Sequence, residues 1–106
     1  MSLTYKLEMT LDQYTKFAAT ITAVNPRHRA MVKRWYIANR TVDYWVDRAC
    51  LNEDAGKEKL VAHANRKEED AFNRLLRIED ELPAREIANA ARQYAALHTG
   101  GRYCLG

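Results

Sequence analysis

The sequence predicts a small all-α fold: four helices built on a long antiparallel αα-hairpin, preceded by a short N-terminal strand or extended arm. Three observations carry this. Two long central segments place apolar residues at alternating spacings of three and four, as a helix with one buried stripe requires. Pro26 and Pro83 stand where new helices are due to begin. Residues 3–10 show the clearest period-two alternation of a strand. A chain of 106 residues is the usual size of one domain. A single helical unit over 1–106 is therefore expected, with 1–10 as the strand or arm and 102–106 as a short tail.

In order along the chain, Leu3, Tyr5, Leu7 and Met9 alternate with Thr4, Lys6, Glu8 and Thr10. With no second strand of equal quality, this segment is read first as an ordered leader lying on the helices. An arm that adds to another chain, or a pairing with Arg102-Tyr103-Cys104-Leu105, are the alternatives. Thr10 and Gln13 form a capping box, so a helix is expected from Leu11. Its apolar face is Tyr14, Phe17, Ala18, Ile21 and Val24, and it should stop at Asn25-Pro26, since a residue before proline is pushed out of the α region.

Asn25 as cap and Pro26 at the first helical position should start the second helix. Its seam is Met31, Trp35, Ala38, Val42, Trp45 and Ala49, lasting to about Leu51, with the polar stretch 52–56 as the break. The third helix, from about Lys57, carries Val61, Ala64, Glu68, Ala71, Leu75, Ile78 and Leu82, flanked by Leu60, Phe72 and Leu76. Leu82-Pro83 ends it and opens a fourth over 84–98, which Thr99-Gly100-Gly101 terminates. The expected buried stripe of the fourth helix is Ala84, Ile87, Ala88, Ala91, Tyr94 and Ala95.

Composition narrows the class. Apolar residues make up 47% and charged residues 29%, values of a globular chain. No segment approaches the ~20 apolar residues that span a bilayer, and the N-terminus lacks a charged region followed by an apolar one. No membrane partner and a cytoplasmic location are expected. Cys50 and Cys104 are far apart and outside any C-x-x-C grouping, which suits reduced thiols in that compartment.

Catalytic chemistry finds few reagents. Ser2 is the only serine, so a serine-nucleophile triad has no member. Cys50 is read as a structural cysteine beside the seam, although His28, His63 or His98 could in principle activate it. The three histidines form no H-x-x-x-H or H-E-x-x-H pair, so no metal is expected. Gly56, Gly100, Gly101 and Gly106 form no phosphate-cradling loop. The runs Glu68-Glu69-Asp70 and Glu79-Asp80-Glu81 point in different directions around a helix and read as solvated faces. Glu68, the one acid on the seam, is expected at a partly exposed helix edge, with a buried position matched by an arginine as the alternative. No catalytic residue, cofactor or metal ligand is assigned, and the protein is read as a non-enzyme.

The second helix carries the functional expectation. Arg27, Arg29, Lys33, Arg34 and Arg40, with His28, precede its first acid, Asp43. Positive charge in the first turns opposes the helix macrodipole, so stability alone does not select it. At about 100° per residue, Arg29, Lys33, Tyr36 and Arg40 share a stripe opposite the seam, with Ile37 and Tyr44 beside it. The expected partner-binding set is thus Arg27, Arg29, Lys33, Arg34, Tyr36, Ile37, Arg40 and Tyr44. Its bland counterpart is an ordinary solvated face, with Ile37 and Tyr44 covered by the first or fourth helix.

Cations interleaved with aromatic and aliphatic groups suit an acidic protein surface with apolar pockets. The expectation is a small regulator, inhibitor or adaptor, of the size and class that phages and mobile elements use, docking on a larger protein or nucleic-acid-processing complex. The alternative is a nucleic-acid-binding module contacting phosphates through the same helix. A net charge of +3 is low for that role. The long two-sided seams also leave a homodimer open.

Overall fold

The computed structural model describes residues 18–98. The expected strand or arm at 3–10, residues 11–17 of the helix expected from Leu11 to Val24, and the tail at 102–106 lie outside the described residues. Within them a 3-10 turn, Pro26–His28, leads into α1 (Arg29–Asp54), followed by α2 (Glu58–Glu81) and α3 (Ala84–His98). The described fold is mostly helical, with no strand among the described residues.

Residues 19–24 differ from expectation. The helix expected to run to Val24 does not do so: Ala18 is helical, a turn follows at 19–20 and the backbone at 21–23 is non-helical. Thr20-Ile21-Thr22 is a β-branched run with low helix propensity. Its backbone groups are also claimed from outside. The Gln93 amide donates to the Thr22 carbonyl at 2.7 Å and accepts from the Thr22 N–H at 2.9 Å. Asn89 donates to the same carbonyl at 3.0 Å. Ala18 and Ile21 are buried as the apolar face required, whereas Val24 is 52% exposed.

The start of α1 follows its sequence. The Asn25 side chain accepts from the Arg27 N–H at 3.0 Å, and Pro26 supplies a preset φ at a position whose N–H has no helical acceptor. The other end runs past Leu51 to Asp54, because the polar residues 52–54 still satisfy helical bonds. Termination comes from Gly56, whose φ of +72° closes a Schellman motif. In it Lys57 N–H bonds to Asn52 O at 2.9 Å, and Gly56 N–H to Glu53 O at 3.0 Å. An extended Leu82 before Pro83 separates α2 from α3.

α1 and α2 run past each other in opposite directions. Trp35 Nε1 donates to Glu79 at 2.9 Å near one end, and the rings of Trp45 and His63 meet edge to face at 5.6 Å near the other. Ala64, Ala71 and Leu75 are the buried residues of α2, and the alanines let the two helices approach closely. Glu68 is half-buried at the seam's edge, and the flanking Leu60, Phe72 and Leu76 are exposed.

Of the stripe expected on α3, Tyr94 is buried and Ile87 packs against the core, but the rest of the stripe is rotated. Glu86, Ala90 and Tyr94 face inward at four-residue spacing, while Ala84, Ala88, Ala91 and Ala95 are exposed. The polar edge made by Glu86, Asn89 and Gln93 grips residues 22–28 and fixes the rotation, so hydrogen bonding overrides the alanine-rich face. No described helix is long and apolar enough to cross a membrane.

Candidate protein-interaction face

The candidate face rests on how α1 divides its circumference. One side meets α2 through the seam. A second side meets α3, and it takes half of the stripe that the sequence assigned to solvent. Tyr36 is fully inaccessible and Arg40 is 2% exposed. Their assignment as partner contacts is corrected: both are interior groups. The physical reason is Tyr94, whose ring lies 5.6 Å from that of Tyr36 and 6.0 Å from that of Trp35. Its hydroxyl accepts from Arg40 Nη1 at 3.4 Å and donates to Asp43. Arg40 Nη1 also stands 3.8 Å from the Asp43 carboxylate.

Burial shows in the acidity of these phenols. Removal from water pushes Tyr36 up to about 12, against the opposing pull of the Arg40 charge. Tyr94 is driven well above the ordinary phenol range, first by burial and then by the neighbouring Asp43 carboxylate, with Arg40 lowering it in part. Both rings stay neutral at physiological pH. The cluster reads as an internal brace between α1 and α3.

What remains accessible lies on the third side of α1. Arg27, Arg29 and Arg34 are exposed, and Lys33, Ile37 and Tyr44 are half-buried. No ion pair among the described residues involves Arg27, Arg29, Lys33 or Arg34. No acid stands in the first turn of α1 to offset them. Beside this side runs an open groove of about 230 Å³, lined by Arg34, Ile37, Ala38 and Thr41 from α1 and by Arg74 and Ile78 from α2. The volume falls below the ~300–1,000 Å³ of small-molecule sites.

Glu86 was not singled out by its sequence. Its inaccessible carboxylate accepts from the N–H groups of Val24 at 2.9 Å and Asn25 at 2.8 Å, and His28 Nδ1 lies 3.0 Å away. Burial alone would raise its pKa, but these donors outweigh it and hold the carboxyl below the usual range. The effect is to pin the chain just ahead of α1, and with it the orientation of Arg27 and Arg29. A glutamate in the first turn of a helix was the available signal. Its partners some sixty residues earlier were not legible.

Cys50 is exposed on α1 rather than buried beside the seam, because the helix turns it away from α2. Among the described residues no group of three or more His, Cys, Asp or Glu is placed to hold a metal ion. Set against models of protein families, curated proteins and solved structures, the chain matches none.

Proposed function

We propose that this protein is a non-enzymatic regulator or adaptor that docks on an acidic surface of a larger protein through the accessible side of α1. The observation that supports it is the cationic start of α1, where Arg27, Arg29, Lys33 and Arg34 have no ion-pair partner among the described residues and stand beside Ile37 and Tyr44. Such charges steer encounter with an acidic partner, and the adjacent apolar groups supply surface to bury. A homodimer through this side would bring like charges together, which favours a different partner. Nucleic acid is the lesser reading, since the burial of Tyr36 and Arg40 removes a stacking ring and a phosphate-binding cation from the accessible side.

Affinity capture from a nuclease-treated bacterial lysate tests this. The tagged protein should retain a defined protein at near-stoichiometric amounts, and an Arg29→Glu/Arg34→Glu variant with an unchanged melting temperature should lose it. Retention by the variant, or capture that vanishes with nuclease, overturns the proposal. In the second case, binding of an oligonucleotide should weaken steeply with salt.

A further inference from the structure

The groove has two walls, and the α2 wall is not needed by a face confined to α1. Its floor is aliphatic, made by Ile37, Ala38 and Ile78, and a guanidinium stands on each side, Arg34 from α1 and Arg74 from α2. Both arginines are exposed. No ion pair among the described residues involves either, although Asp70 stands one turn before Arg74 on the same helix.

The backbone of both walls is committed to helical hydrogen bonds. The Thr41 hydroxyl, the one uncharged polar group in the lining, donates to the Ile37 carbonyl at 2.7 Å. The groove thus offers an extended peptide no backbone ladder with which to pair its amides, and an unpaired buried amide is costly. A helix satisfies its own backbone and needs only side-chain contacts. Two packed helices also leave a furrow along which a third can lie.

Resting on the docking reading above, we infer that the α1–α2 groove receives an acidic amphipathic helix of the partner protein. One large apolar side chain of that helix enters between Ile37 and Ile78, and carboxylates on either side of it pair with Arg34 and Arg74. The anchor follows the aliphatic floor. The acid on both flanks follows from one guanidinium on each wall. A nucleic acid fits less well, because no aromatic ring lines the groove for a base to stack on.

The test is selection from a displayed library of randomised helical peptides against the whole protein, with counter-selection against an Arg34→Glu/Arg74→Glu variant shown by circular dichroism to be folded. Binders lost on the variant should carry Asp or Glu within one turn on both sides of a Leu, Phe or Met. Synthesised, such a peptide should bind about tenfold or more weakly once its acids become Lys or its anchor Ala. Groove-dependent binders that are basic or uncharged overturn the inference, as does a selection that yields no groove-dependent binder. Displacement of the peptide by RNA at stoichiometric concentration would assign the groove to nucleic acid. A sedimenting dimer abolished by the same variant would assign it to a second copy, and both results overturn the inference. In the lysate capture, Arg74→Glu should release the partner as Arg29→Glu/Arg34→Glu does. If Arg74→Glu leaves capture intact while the α1 variant abolishes it, the docking face stands and the groove inference fails.

Discussion

Two sides of α1 carry the same kinds of residue and have opposite fates. On one, Tyr36 and Arg40 are sealed beneath α3, where the Tyr94 hydroxyl stands between a guanidinium and a carboxylate. On the other, Arg34 and Ile37 line an open groove, and no described acid pairs with the arginine. An arginine beside an aromatic or aliphatic group is therefore no mark of an interface by itself. What separates the two sides is whether another element of the chain brings a group that meets the charge. Tyr94 and Asp43 do so for Arg40. Nothing among the described residues does so for Arg34, and that is the basis for assigning an external partner to its side.

The comparison can be broken by stability measurements. Tyr36→Ala removes a fully buried ring that packs on Tyr94 and should cost about 3–5 kcal/mol, whereas Ile37→Ala should cost about 1 kcal/mol. Urea unfolding followed by circular dichroism gives both values. Similar losses at the two positions would mean that the groove side is also structural. Next in size, Arg40→Ala strips the Tyr94 hydroxyl and Asp43 of a buried partner, and a loss of about 2–3 kcal/mol is expected, held down because Asp43 is partly wet. Arg34→Ala should change stability by less than about 0.5 kcal/mol, as an exposed residue with no bonded partner among the described residues does. An Arg34 effect as large as that of Arg40 would remove the distinction on which the docking reading rests.

How much of this was legible depended on the range of the interaction. Asn25 and Pro26 set the start of α1 through contacts made within three residues, and the seam of α1 against α2 follows from periodicity alone. The end of α1 was misplaced at about Leu51, because polar residues 52–54 were counted as the break although Gly56 supplies the stop. The fate of Tyr36 and Arg40 was not legible, because at helical spacing they continue the line of Arg29 and Lys33, and only the docking of α3 separates the four. The rotation of α3 was missed for a related reason. Counting alanines as the buried face ignored that Glu86, Asn89 and Gln93 lie on one edge and can satisfy a stretch of non-helical backbone. Periodicity reports which side of a helix is apolar. It does not report when polar groups form the better inward edge because a distant segment needs their hydrogen bonds.

The last expectation concerns the joint that orients the cationic start of α1, and it is read through pH. Glu86 holds its carboxyl below the ordinary value of 4.5 because the Val24 and Asn25 amides and His28 donate to the charged form, despite the cost of burial. A depressed folded pKa means that the unfolded chain takes up the proton first. The stabilisation is therefore fully present above the ordinary carboxylate range and is lost as pH falls below 4.5 and through the folded value. Glu86→Gln keeps the shape but offers one acceptor oxygen and no charge, so its melting temperature should lie below the parent's at pH 7. Between pH 5 and 3 the two melting curves should converge, since protonation removes from the parent what the substitution has already removed. Parallel slopes through that range would show that Glu86 is not the acid-sensitive joint. The chain ahead of α1 would then be held by the Thr22 contacts of Asn89 and Gln93, which carry no titratable group.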